Sequence, residues 1–178
     1  MKNRIPIMYD NTFDIAYFMT HEKSGVACFR EENITIFLFE FDDLYCKQIE
    51  PDFPNMVCTQ ILYSEDTLGV KETGKYLKHG GIGIGVWEYY NEDGTLNHTE
   101  DMDEHFPVKW EQMEEILKDK KISLLTADSI FRYYDEEKDE ATWSIVIKLP
   151  MEKGQLYIFD ACTGEIINEE IIDMTKEM

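Results

Sequence analysis

The stretch from Gly80 to Asp103, reading GGIGIGVWEYYNEDGTLNHTEDMD, constrains the fold more than any other part of the chain. Val86, Trp87, Tyr89 and Tyr90 are β-branched or aromatic and favour a pleated, half-buried surface. Asp93-Gly94 is the pair that best tolerates the positive φ angles of a tight hairpin turn. Thr95, Leu96 and Asn97 can then begin a returning strand. Upstream, glycines 80, 81, 83 and 85 alternate with isoleucine, which would strip one face of a strand of side chains. An aromatic ring from a neighbouring strand is expected to cover that bare face. The stretch predicts a strand, a tight turn and a second strand, standing between two halves of different character.

The first half reads as strands. Ile5 to Met8 could start one. Phe13 to Met19 fits either a short helix with Asn11 or Thr12 as N-cap, or another strand, because short apolar runs are not decided by periodicity. Ser24-Gly25 and Glu31-Glu32-Asn33 read as turns around a strand from Val26 to Arg30. Ile34 to Phe41 has strong strand composition, with an apolar run continuous enough to suggest cover on both faces. Asp42-Asp43 ends it, and Pro51 to Asn55 marks a loop. Met56 to Tyr63 resumes a strand, placing Val57, Thr59, Ile61 and Tyr63 on one side.

The second half opens with an acidic connector, Thr99 to Glu104. Pro107 fits a first helical turn, where its missing N–H costs nothing. Trp110, Met113, Ile116 and Leu117 recur at helical spacing. Glutamates early and lysines late in that segment suit the helix dipole. Strands follow at Ser129–Tyr134, Thr142–Leu149 and Gln155–Asp160, separated by a charged turn at Asp135 to Glu140 and by turns at Lys153-Gly154 and Thr163-Gly164. Glu165 to Ile167 leaves the last turn. The pattern is a helix followed by an antiparallel meander.

Charge narrows the function. Thirty-seven acidic residues stand against 17 basic ones, a net charge of −20. Such a chain repels nucleic acid and anionic membranes, and attracts basic proteins. No run approaches the ~20 apolar residues needed to cross a bilayer. Asp10, Asn11 and Asp14 interrupt the N-terminal region, so no secretory leader is expected. Cys28, Cys46, Cys58 and Cys162 are scattered without a Cys-x-x-Cys pair, which predicts reduced thiols and a cytoplasmic protein. The sequons at Asn33 and Asn97 are then incidental.

Candidate chemistry is sparse. The glycine cluster lacks the Gly-Lys-Ser/Thr ending of a phosphate loop and runs into a strand, so it reads as structural. His79 before Gly80-Gly81 has no nucleophile motif to serve. His21, His79, His98 and His105 lack metal-ligand spacing. A chance cation site from His98, His105, Asp101 and Asp103 is the weaker reading. Cys162 sits in a turn without a supporting base. No catalytic residue, cofactor or metal is therefore assigned. The acidic runs are the better candidates for a partner surface, against the plainer reading that they only solvate turns. They supply Asp101, Asp103 and Glu104 at the connector, and Asp135, Glu136, Glu137, Asp139 and Glu140 at the charged turn. Aromatics such as Trp87, Tyr89, Tyr133 and Tyr134 could anchor a partner while the acids steer it.

Two pieces resemble known families. Gly85, Trp87, Tyr89, Tyr90, Gly94 and Leu96 match the Gly-x-Trp-x-Tyr-Tyr-x-x-x-Gly-x-Leu pattern of MORN-type repeats of the YwqK-like antitoxin kind, and Gly74-Lys75-Tyr76 resembles part of a preceding unit. The helix around Trp110 to Leu117, the segment Trp143 to Val146, and the Asp160-x-x-Thr163-Gly164-Glu165-Ile166 turn resemble a PepSY-like unit. The combination is similar to small Bacteroidetes proteins thought to be immunity proteins. It implies a non-enzymatic binding protein that neutralises a basic toxin by occluding its active site. The alternatives are a PepSY-like peptide-binding or protease-restraining module, and a small enzyme with an unrecognised site.

The expected fold is α+β, mainly antiparallel sheet, with a MORN-like hairpin and one principal helix packed on a C-terminal β-meander. Residues 1–66 would form a β-rich region, 67–104 the hairpin and acidic connector, and 105–178 the helix and meander. Sequential strands joined by short turns should give one compact unit with a continuous or bent sheet.

Overall fold

Short turns with built-in chemistry shape the chain. The computed structural model describes residues 12–175; the expected strand at Ile5 to Met8 lies outside them. The first element is helix α1 (Ile15–His21), capped by Asp14, whose Oδ1 accepts the Tyr17 N–H at 2.9 Å. The helix option for this segment holds, with the cap moved to Asp14, since only a side chain there reaches the first free N–H groups. Strands β1 (Val26–Glu31), β2 (Ile34–Phe41), β3 (Leu44–Pro51) and β4 (Val57–Ser64) follow, each paired antiparallel with the next. Between β2 and β3, Asp42 and Asp43 hold φ of +46° and +62°. Aspartate tolerates this left-handed region, so a two-residue turn closes the hairpin. Strands β5 (Val70–Leu77), β6 (Gly83–Tyr90) and β7 (Leu96–Asp101) complete a seven-stranded sheet in chain order. Helix α2 (Trp110–Asp119) and a single 3-10 turn lead to β8 (Ala127–Asp135), β9 (Glu140–Leu149), β10 (Lys153–Asp160) and β11 (Ile166–Asp173). These four strands form a second sheet, an antiparallel meander in the order β11-β10-β9-β8.

The structure is therefore mostly antiparallel strand with two short helices, and it has two sheets where one was expected. The Val108 N–H bonds to the Ala161 carbonyl at 2.8 Å, so the chain enters the second sheet's neighbourhood before α2 begins. That extended bond also keeps Pro107 out of the helix, which starts at Trp110 instead. Strands β7 and β11 run longer than the sequence suggested, to Asp101 and Asp173. Strand β3 was not anticipated at all.

Two compact units divide the chain. Among the described residues, one takes residues 12–76 together with Val86–Glu100; the other takes Leu77–Gly85 and residues 101–175. Of the expected 67–104 segment, residues 77–85 and 101–104 belong to the second unit and the rest to the first.

In the first unit, register rows explain the core. Ala27, Leu38, Lys47 and Ile61 stand opposite one another across β1 to β4, as do Phe29, Ile36, Ile49 and Thr59. One face of the sheet buries Ala27, Ile36, Leu38, Ile61 and Tyr63 together with Phe13 and Phe18. Phe13 stacks on Tyr45 at 4.7 Å and meets Tyr63 edge-on at 5.6 Å. Strand β2 buries only this face. Phe37 and Phe39 on its other face are half-buried and Phe41 is exposed, so the expected two-sided cover is not found. An aromatic ring does cover a glycine, but not in the cluster: Trp87 lies over Gly74, where a Cβ would fall 2.1 Å from the indole Cδ2.

In the second unit, α2 buries Trp110, Met113 and Leu117. Trp110 lies 5.9 Å from Trp143, whose indole N–H donates to the Val108 carbonyl at 2.9 Å. Ile130, Trp143, Ile145 and Phe159 are fully buried beneath. The spacing of apolar residues along α2 and their alternation along β9 thus produce one core.

Candidate functional site

Residues Gly80 and Gly81, expected on a strand, form a turn before β6. The Ile130 N–H donates to the His79 carbonyl at 2.9 Å, so this turn lies against β8. A Cβ at Gly80 would sit 2.1 Å from the Ile130 carbonyl oxygen, and its φ is +123°, so only glycine fits. Within the glycine cluster the packing role falls to Gly80; Gly81 and Gly85 hold positive φ with open space around them.

The acidic connector folds back on β8. Asp103 is buried, and its Oδ1 lies 2.6 Å from Arg132 Nη1. Its Oδ2 accepts the Gly85 N–H at 3.0 Å. Arg132 also donates to the Gly83 carbonyl and lies over the Phe106 ring, 4.5 Å from its centre. Among the expected partner-binding acids, Asp103 is thus removed from the surface: both its oxygens are taken up inside the unit. Asp101 remains exposed, though its Oδ1 accepts the Asp103 N–H at 2.9 Å. Glu104 is exposed.

The two acidic runs, separate in the sequence, come together here. His105 stacks on Tyr134 with ring centres 3.9 Å apart and planes 3° from parallel. The Tyr134 hydroxyl donates to Asp139 Oδ1 at 2.8 Å. That bond holds the Tyr134 phenol above its ordinary pKa, with smaller contributions from Glu136 and Glu104. Asp135 shapes the turn between β8 and β9. Its carboxylate accepts the Glu137 N–H at 3.1 Å and the Lys138 N–H at 3.3 Å, and pairs with Lys138 Nζ at 2.9 Å. The bond from Lys138 holds the Asp135 carboxyl below the usual range. Asp135 and Asp139 therefore serve the turn itself, while Glu136, Glu137 and Glu140 stand exposed around it.

Strand alternation separates the two tyrosines. Tyr134 shares the inner face with Ile130 and Arg132; Tyr133 projects from the other face and is 65% exposed. Phe131, two residues earlier on that outer face, is 42% exposed and was not anticipated. Its signal was available, since Phe131 and Tyr133 alternate with the buried positions. The result is an aromatic pair beside a cluster of glutamates at one end of the four-stranded sheet.

The remaining candidates stay apart. His21 stacks on Tyr17, and His98 stacks on Tyr89 at 4.4 Å. Among the described residues no group of three or more His, Cys, Asp or Glu side chains is placed to hold a metal ion. Cys162 is exposed in the Asp160 turn, where Asp160 Oδ1 accepts the Cys162 N–H at 3.0 Å, the Thr163 N–H at 2.7 Å and the Thr163 hydroxyl at 2.8 Å. No described helix is long and apolar enough to cross a membrane. No protein-family model matches the chain, and no curated protein or solved structure is significantly similar to it.

Proposed function

We propose that this is a non-enzymatic protein-binding protein whose partner is a basic protein. The observation that carries the reading is the convergence of the two acidic runs, through the His105–Tyr134 stack, beside the exposed Tyr133 and Phe131. Aromatic side chains supply large contact area at low entropic cost, and rim charges steer encounter. Glu104, Glu136, Glu137 and Glu140 would form the rim, with Tyr133 as the anchor. The sharper form of the proposal is an immunity protein that occludes the active site of a basic toxin. The net charge of −20 supports it, since an acidic surface competes with the phosphate backbone that a basic nuclease would bind. The α+β description, with a MORN-like hairpin followed by a PepSY-like helix and meander, belongs to the same proposal.

Affinity capture from the source cell at low salt is the test. A basic protein should be retained and released as salt rises. Tyr133→Ala should weaken the complex by roughly 30-fold, as a buried aromatic anchor does. Glu136→Lys with Glu137→Lys should slow association. Recovery of no basic protein, or retention indifferent to all three substitutions, would overturn the reading.

A further inference from the structure

We infer that the free edge of β11 accepts an added strand, and that its sequence selects one with a basic residue at the centre. Strand β11 ends the four-stranded sheet, and among the described residues its outer edge pairs with nothing. It spans eight residues, Ile-Ile-Asn-Glu-Glu-Ile-Ile-Asp, with no proline, lysine or glycine to blunt it. What guards this edge is the charge of Glu169, Glu170 and Asp173 and the bulge near Ile167, devices that turn away like-charged strands. Here Ile171 is 64% exposed on the same face as Glu169, while a β-bulge opposite Ile158 and Phe159 interrupts the alternation at Ile167, itself 60% exposed.

The backbone is oriented to receive a partner. The Met174 N–H bonds to the Glu152 carbonyl, continuing the ladder with β10. In an antiparallel ladder, bonding inward alternates along the strand. Ile172 and Glu170 therefore bond inward, and Glu169, Ile171 and Asp173 present their N–H and C=O groups outward.

Charge decides what can pair. A second copy docking antiparallel about Glu169 would set Glu169 directly against Glu169. Centred on Glu170, it would oppose Glu170 with Glu170. Like charges directly opposite are destabilising, whereas a lysine or arginine there is favourable. Glu169 and Glu170, which meet like charge in both of these registers, thus favour a strand with a basic residue opposite Glu169 and an apolar residue over Ile171. Main-chain bonds would give affinity, and alternate side chains specificity. This surface lies at the sheet edge opposite β8, and it stands independently of the acidic hairpin end.

The test is a titration of isotope-labelled protein with two capped heptapeptides, TITKTIT and TITETIT, followed by amide chemical shifts at low salt. TITKTIT should shift the amides of Glu169, Ile171 and Asp173, and bind about tenfold more tightly than TITETIT, as expected when one cross-strand pair changes from like to opposite charge. Glu169→Lys should reverse that preference. Ile171→Pro, which removes an outward donor without touching the ladder to β10, should abolish binding. Glu136→Lys with Glu137→Lys, an equal or larger change of charge at the other surface, should leave the peptide preference intact. The inference fails if Glu169→Lys leaves the preference unchanged, if the shifted amides are those of residues 136–140, or if the wild-type protein self-associates through β11.

Discussion

Asp103 and Arg132, 29 residues apart, form an ion pair with Oδ1 and Nη1 at 2.6 Å and side chains only 5% and 8% exposed. The pair is satisfied on every side: Asp103 also takes the Gly85 N–H, and Arg132 reaches the Gly83 carbonyl while lying over Phe106 and Trp143. It joins the start of β6, the acidic connector and two strands of the meander.

Breaking that pair leaves one buried charge without a partner. Asp103→Ala or Arg132→Ala should each cost about 3–5 kcal/mol. Replacing both, as Asp103→Leu with Arg132→Met, should recover most of the loss, because the desolvation penalty of both ions disappears together. Urea unfolding midpoints of the three variants and the parent measure this. Equal losses in the double variant and the singles would show that the surrounding hydrogen bonds, not the charges, carry the stability.

Gly74 and Trp87 form a second close contact. The indole lies where a Cβ would be, and its N–H donates to the Lys75 carbonyl at 3.0 Å. Gly74→Ala cannot be absorbed by a flexible side chain, because the ring is held at both its face and its edge. The substitution should cost about 1–3 kcal/mol or more, and it should shift the tryptophan emission. Thermal melts with fluorescence detection check both.

These two relationships show what the sequence does and does not disclose. Some turns were legible because their chemistry is local: Asp93-Gly94 and Thr163-Gly164 each sit where the backbone turns, whereas Lys153-Gly154, expected as a turn, begins β10. Helix α2 was legible from the period of Trp110, Met113 and Leu117. Strand β3 was hidden because Lys47 occupies a core-facing row between Leu38 and Ile61, which breaks the apolar alternation, and because Pro51 suggested a loop. Asp103 was placed on the surface because it lies in an acidic run, and nothing within ten residues of it signals Arg132. The meeting of the acidic runs was likewise invisible, since it depends on His105 finding Tyr134 across a helix and a strand.

The thiols divide by burial. Cys28 and Cys162 are exposed, while Cys46 and Cys58 are 1% and 0% exposed. Burial pushes the Cys46 thiol up to about 12, with the Glu72 charge adding to it. Thiolate is the reactive form, so Cys46 should be inert at neutral pH. An Ellman titration should find two fast thiols in the native protein and four after unfolding. Cys28→Ser with Cys162→Ser should leave no fast thiol.

Glu72 links stability in the first unit to pH. Burial raises its carboxyl above the ordinary 4.5, and the charge of Glu100 raises it further. The folded state therefore holds this proton more tightly than the unfolded chain. Its contribution to stability is fully present below the unfolded value and is lost as pH rises through the folded value. The charged form of Glu72 is therefore the one the fold disfavours, through burial first and the Glu100 charge second. Glu72→Gln removes that charge while keeping the shape. The variant should unfold at a higher urea concentration than the parent at pH 7, and the difference should close as pH falls below about 4, where both side chains are neutral. A gain that persisted unchanged into acid would show that it comes from packing of the amide and not from the carboxylate charge.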